Sequence, residues 1–388
     1  MLKLIHCADI HFDAGLDVSD KSRAKTRREE QRETFAGMFG YAAENGVDII
    51  VISGDLFDRK NVTKATLDGL CALFAKYPGI RVAIAPGEHD HWSPDSPYAL
   101  SAFPDNVYVF KEEKTALGLS FITKDGTKVN IYGSAYASPS VYACPFEGLT
   151  VNEPDAVNIL LAYGKLSTKK QNDGDFSVSD IIGTGVDYAA LGGVHDTDGL
   201  HDEENMWYSY AGTLEPVDRT DCGKRGFIYI EGRKEDGDFI CKPKFVPVSK
   251  REYITRDLSV AGCSGDREIF ENVKAFLDGI AGELSERVML SLTLHGDVSP
   301  EAAIPEKEIR EEALSRGIFD FFLTDETVPL YNYEYLSADS TIRGAFFNAL
   351  RPSICSESAE ERAAAVDAFR IGLAALDGKD IGQKSDED

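Results

Sequence analysis

The chain has 388 residues, 43% of them hydrophobic, with 41 Lys+Arg against 66 Asp+Glu for a net charge of −25. That length exceeds one ordinary core and predicts two or three domains, and the hydrophobic fraction is ample for globular folding. The acidic balance excludes a broad phosphate-binding surface, so any nucleic-acid contact must be local or shared with a more basic partner.

Residues 2–8 (LKLIHCA) form a short apolar run that ends in Asp9. A helical stretch follows, its apolar face given by Phe35, Met38, Phe39, Ala42 and Ala43 at i, i+3, i+4 spacing. Residues 48–53 (DIIVIS) form a second run, ending in GD. A second helix near 63–76 buries Leu67, Leu70, Leu73 and Phe74. Residues 80–85 (IRVAIA) end in PGEHD; 158–162 end in YGK; 188–191 end in GGVHD. Apolar strands separated by helical segments predict an α/β core. Each strand delivers its polar residues at its C-terminal end, the edge at which open α/β sheets bind ligands.

Short alternating strands are expected at 107–133, and a β-rich run at 206–246. After Pro247 a helix is expected over 266–285, a strand over 287–295 and a helix over 306–315. Helices are also expected at 338–350 and 356–376, the latter with an apolar stripe of Ala365, Phe369, Leu373 and Leu376. The predicted division is 1–248, a smaller α+β domain at 249–336, and a helical C-terminal segment at 337–388.

Seven scattered cysteines without a CxxC read as reduced thiols of a cytoplasmic protein. His6 and Asp9 come too early for a signal-peptide core, and no 18-residue apolar run exists, so no membrane is implied.

The strand ends together read D9-x-H11, G54-D55, G87-E-H89-D90, Y163-G164 and G193-x-H195. Aspartate and histidine at strand tips suit a hard-to-borderline divalent cation. In D-x-H the i and i+2 side chains project to one side of an extended end and can reach one ion. DxH alone is weak evidence; the ordered set is much stronger.

With those residues the chain resembles the calcineurin-like metallophosphoesterase superfamily, whose motif order is D-x-H, G-D, G-N-H-D, H, G-H-x-H. More narrowly it resembles the SbcD-type nuclease subunit of double-strand-break repair complexes, through HCADIHFDA, VDIIVISGDLFDRKNVT, DYAALGGVH and YAGTLEPVDRTDCGKRGF. The resemblance implies a four-layer αββα sandwich with a smaller α+β capping domain and a helical tail. It implies two metals that clamp a phosphoryl group and activate a water. Asp9, His11, Asp55 and His195 fill the first set of ligand positions. At the second set stand Asp55, Glu88, Tyr163 and Gly193, so three of four ligands are changed; Glu88 can still bind a cation, Tyr163 poorly, Gly193 not at all. His89 is implied as the phosphate-facing histidine, oriented by Asp90. The expected cofactor is Mn²⁺, with Fe²⁺, Zn²⁺ or Mg²⁺ as alternatives, tight at one site only.

Asp196, Asp198, His201 and His91 are candidates to refill the second site, against a reading as solvated loop residues. His6 is expected in the core and His295 on a strand. Arg23, Lys25, Arg27 and Arg28 lie in a run with six basic residues, read either as a phosphate-contacting patch or as a solvated helix face with local ion pairs. Trp92 and Tyr98 are expected to pack rather than to stack on a base. Two functions follow: a metal-dependent phosphodiesterase or DNA exonuclease, or an impaired scaffold and DNA-end sensor. Partners by resemblance are DNA and an SMC-like coiled-coil ATPase, with a homodimer left open. A small-molecule phosphatase ranks below both.

Overall fold

The computed structural model describes residues 1–58, 62–136, 144, 146–167, 176–300 and 302–376. The last part of the expected helical C-terminal segment, 377–388, lies outside them. In chain order the elements are β1 (Leu2–Cys7), α1 (Lys21–Asn45), β2 (Ile49–Ser53), α2 (Lys64–Lys76), β3 (Arg81–Ala85), α3 (Pro97–Leu100), β4 (Val107–Val109), β5 (Ala116–Ile122), β6 (Lys128–Gly133), β7 (Val157–Tyr163), α4 (Val178–Ile182), β8 (Tyr188–Gly192), β9 (His201–Glu203), β10 (Met206–Tyr210), β11 (Gly226–Glu235) and β12 (Asp238–Pro247). There follow β13 (Glu252–Ser259), α5 (Asp266–Gly279), β14 (Val288–Val298), α6 (Glu306–Ser315), β15 (Asp320–Pro329), α7 (Tyr333–Ala338), α8 (Ile342–Ile354) and α9 (Ala359–Leu376).

The chain divides into two compact units: Met1–Thr255 with Ser285–Ser291 and Ile318–Asp320, and the remainder. The first unit holds two six-stranded sheets, ordered β12-β11-β1-β2-β3-β4 and β5-β6-β7-β8-β10-β9. β1, β2 and β3 run parallel, as do β6, β7 and β8. Strands buried on both faces read as continuous apolar runs rather than alternating ones, and the alternation of side chains sorts them into layers. Ile5, Cys7, Ile50, Ile52, Val82 and Ile84 join the core with Phe35, Met38 and Phe39 of α1 and Leu70 and Phe74 of α2. Leu4, Val51, Ala83 and Ala85 join instead the core with Val129, Ile131, Ile159 and Leu161 of the second sheet. Leu160, Ala162 and Ala189 face the other way, with Ile181 of α4. The result is helix, sheet, sheet, helix: the four-layer mixed α/β sandwich that the resemblance implies.

α1 starts where Asp20 accepts from Ser22 N and Arg23 N, and stops at Gly46, which is left-handed at φ 67°. Ala43, expected on its apolar face, is exposed. His6 is fully buried, with ring nitrogens 2.8 Å from Tyr188 Oη and 3.1 Å from the Leu191 carbonyl. Tyr98 is buried against Phe57 and Trp92 packs on the first core, so both aromatics pack.

The second unit holds α5 to α9 and most of a three-stranded sheet, β13-β14-β15. His295 sits on β14. Ala365, Phe369 and Leu373 of α9 are buried with Leu336, Phe347 and Ile354 of α7 and α8, whereas Leu376 is exposed. Among the described residues no helix is long and apolar enough to cross a membrane. All seven cysteines are free thiols.

Candidate metal centre

The C-terminal ends of β1, β2, β3, β7 and β8 carry the site, all within the first unit. Asp9 (φ 50°), His11 (φ 52°) and Asp55 (φ 48°) adopt the left-handed backbone region, where a non-glycine residue costs of order 1–3 kcal/mol. The turns are held by His11 N donating to the Asp55 carbonyl at 2.9 Å and Asp9 N to the Gly54 carbonyl at 3.1 Å. Three of the seven described non-glycine residues with positive φ are thus polar residues at these strand ends, where such strain accompanies functional sites.

Asp9, His11 and His195 place their ligand atoms within 4.8 Å of one another. His11 Nε2 and His195 Nε2 face each other at 3.1 Å, and Asp55 Oδ2 lies 3.9 Å from His11 Nε2. The structure thus brings Asp9, His11, Asp55 and His195 to one place. Asp9 is fully buried and its pKa is pushed up to about 6, chiefly by burial, against the pull of His11 and His195. Burial, then the charges of Asp90 and Asp9, hold Asp55 well above the ordinary carboxylate range. Two buried carboxylates with raised pKa values beside two imidazoles fit a divalent cation: its charge removes the repulsion, and the donors are the oxygen and nitrogen types such ions take.

His195 is oriented from behind. Its Nδ1 lies 3.0 Å from Asp221 Oδ1, a carboxylate 1% exposed that also accepts from Val217 N at 2.7 Å. Burial is the largest influence on His195 and works against the charged imidazole, but the Asp221 hydrogen bond and the charges of Asp221, Asp9 and Asp218 together raise its pKa; at Asp221 burial is likewise outweighed by the combined pull of His195, Val217 N and Arg225, and the pKa is lowered. Asp221 escaped the sequence reading, although the stretch DRTDCGKRGF contains it; only spacing across 26 residues links it to His195.

Tyr163 stands where the superfamily pattern has its lone histidine. Its Oη donates to Asp55 Oδ2 at 2.6 Å. The ring lies over three glycines: a Cβ at Gly54 or Gly87 would collide with it, and one at Gly193 would meet Cε2 and Cζ at 3.2 Å. Burial, then the charges of Asp55 and Asp9, push the phenol pKa far above its ordinary value, so Tyr163 is a neutral donor and not a phenolate ligand. Glu88, expected as a weak ligand, is exposed. Next to it, His89 N donates to Asp55 Oδ1 at 3.0 Å.

A correction concerns Asp90. Its carboxylate accepts from Gly87 N at 2.7 Å, from Phe57 N at 3.1 Å and from Tyr98 Oη, so it braces the loop instead of orienting His89. Asp58 faces His89 in its place, its carbonyl 3.2 Å and its Oδ1 3.5 Å from Nδ1.

The candidates to refill the second site are engaged elsewhere. Asp196 pairs with Arg225, His201 with Asp198, and His91 Nδ1 lies 3.3 Å from the Glu88 carbonyl. The basic run is corrected at Arg27, which is 1% exposed and bonded to Glu30, Glu215 and the Pro216 carbonyl. Arg23 pairs with Asp20 and Asp320. Lys25 is exposed near Glu29, and Arg28 reaches the Ala14 carbonyl at 3.5 Å.

Residues 2–187 match the family model described as calcineurin-like phosphoesterase. Relatives include the "Uncharacterized metallophosphoesterase YhaO" of Bacillus subtilis (strain 168), 27% identical over 59% of this chain and 57% of that one. The "DNA double-strand break repair protein Mre11" of Methanopyrus kandleri is 24% identical over 69% of this chain and 60% of that protein. The protein of the same name from Aeropyrum pernix is 28% identical over 71% of this chain and 70% of that one. The chain thus spans less than two thirds of the first two relatives.

Proposed function

We propose, from the premise that residues 2–187 are a calcineurin-like metallophosphoesterase domain, that this protein is a metal-dependent phosphodiesterase acting on DNA, of the SbcD type, with an altered second metal position. The observation that carries the reading is the convergence of Asp9, His11 and His195 ligand atoms within 4.8 Å, beside Asp55. These four residues would hold a divalent cation, Mn²⁺ in the first instance. Such an ion supplies Lewis-acid polarisation of a phosphodiester and a more acidic bound water.

The chain's own groups do the rest. Asp221 fixes the His195 ring so that Nε2 faces the site. His89, with a side chain 47% exposed and Nδ1 toward Asp58, presents Nε2 to the departing oxygen and donates to it. Tyr163 holds one oxygen of Asp55 and fills the space over Gly54, Gly87 and Gly193. DNA as substrate is supported by the names of the two Mre11 relatives. The net charge confines its contact to local groups such as Lys25 and Arg28. An SMC-like ATPase partner is part of the same proposal.

Tyr163 also favours a second reading, a DNA-end-binding scaffold, because a filled second position forgoes charge neutralisation worth several kcal/mol in the transition state. Assay with Mn²⁺ or Fe²⁺ on bis-p-nitrophenyl phosphate and single-stranded DNA separates them. The enzyme reading expects turnover that falls about 100-fold or more in His89→Ala. Absence of turnover with retained DNA-end binding supports the scaffold.

A further inference from the structure

His11 has two ring nitrogens, and the centre described above uses one. Its Nδ1 is buried on a side chain 3% exposed and has no hydrogen-bond partner among the described residues. It is turned toward Asp58, whose Oδ1 lies 3.4 Å away; His89 Nδ1 is 3.5 Å from the same oxygen. The ligand atoms of His11, Asp58 and His89 all fall within 4.8 Å of one another. The spacing discriminates between two arrangements. A charge-assisted imidazole–carboxylate hydrogen bond is about 2.7–2.9 Å long. Two ligands each about 2.1 Å from one tetrahedral ion are roughly 3.4 Å apart. Asp58 sits at the second spacing from both rings.

We propose that His11 Nδ1, Asp58 and His89 Nδ1 hold a divalent cation of their own, across the His11 ring from the centre formed with Asp9 and His195. The proposal rests on the metallophosphoesterase reading. The site differs from the superfamily's second position, which maps to Asp55, Glu88, Tyr163 and Gly193: Asp58 is absent from that set, and the Tyr163 ring covers its glycines. Two imidazole nitrogens and one carboxylate suit Zn²⁺ or Mn²⁺. His11 bridges both ions as imidazolate, and its ring proton leaves to solvent on binding. The second ion fixes the His89 proton on Nε2, the donating tautomer, and places positive charge next to the departing oxygen, compensating for the position that Tyr163 fills.

The test is titration of the metal-free full chain with Zn²⁺ and with Mn²⁺ by calorimetry, with bound metal counted by elemental analysis. The expected result is two ions per chain in the wild type, one in Asp58→Asn, one in His89→Ala, and two in Glu88→Gln. The His89 side chain is 47% exposed, so His89→Ala reads the site even where Asp58→Asn misfolds. One ion in the wild type, or two retained in His89→Ala, overturns the second site and leaves the metallophosphoesterase reading standing. An ion lost in Glu88→Gln overturns it by placing that ion in the superfamily's position. A wild type that binds no ion overturns both.

Discussion

Tyr163 and Asp55 share a 2.6 Å hydrogen bond in which the phenol donates to the carboxylate. An aromatic ring thus occupies ground that the superfamily pattern gives to a histidine, and the glycines at 54, 87 and 193 leave it room. Restoring that ground takes more than one change. Tyr163→His alone leaves Gly193 without a ligand, and Gly193→His alone sets a side chain at φ 95° against the Tyr163 ring. Gly193→His is expected to lose about 1–3 kcal/mol of stability, read by urea denaturation. The triple variant Glu88→Asn, Tyr163→His, Gly193→His should bind one ion more than the wild type in the same calorimetric titration. An unchanged count contradicts the ligand mapping.

Asp221 acts on the metal through His195. Asp221→Asn keeps a side chain of similar volume but removes the charge that fixes the imidazole. Mn²⁺ affinity is expected to fall about 10–100-fold, measured by calorimetry at constant pH. Affinity within twofold of wild type would show that the pair does not orient the ligand.

His6 makes the fold acid-sensitive. Burial lowers its pKa from 6.5 to about 3. The folded state therefore refuses a proton that the unfolded chain accepts. Stability from this group is complete above about pH 6.5 and is lost as pH falls toward about 3, at up to roughly 1.4 kcal/mol per pH unit. Urea midpoints between pH 7.5 and 4.5 should decline less steeply in His6→Gln, which keeps polar contacts to Tyr188 and Leu191 without titrating. Parallel slopes in the two proteins would remove His6 from the account.

Arg27 supports the fold and does not face DNA. It is buried with Glu30 and Glu215, and Glu30 in turn pairs with Arg251. Arg27→Ala removes the cation that faces the buried Glu215, while Glu30 keeps Arg251, and should cost about 3–5 kcal/mol in urea denaturation. DNA affinity and its salt slope should respond instead to Lys25→Glu with Arg28→Glu. A stable Arg27→Ala protein with weakened DNA binding would reverse that assignment.

The layering was legible because strands buried on both faces leave unbroken apolar runs, as in IIVIS and RVAIA. The residues brought together at the candidate centre were legible because each stands within four residues past such a run, at D9-x-H11, GD55 and G-x-H195. What escaped depends on side chains meeting across the chain. Arg27 reads as one more basic residue until Glu215, 188 positions away, is brought against it. Asp90 next to His89 looks like its partner, but the turn aims its carboxylate at Gly87 N and Phe57 N and leaves Asp58 before the imidazole. Tyr163 could be read as a lost ligand from its position alone. That its ring fills the vacated space needed the coordinates of three glycines.

The central claim is that Asp9, His11, Asp55 and His195 share one ion. An anomalous difference map from a crystal soaked in Mn²⁺ tests it most directly. The account predicts a peak within about 2.0–2.4 Å of donor atoms from those residues, with the Tyr163 ring still in place over Gly54 and Gly87. A map with no peak between Asp9 and His195, or with one in the space of the Tyr163 ring, would contradict it.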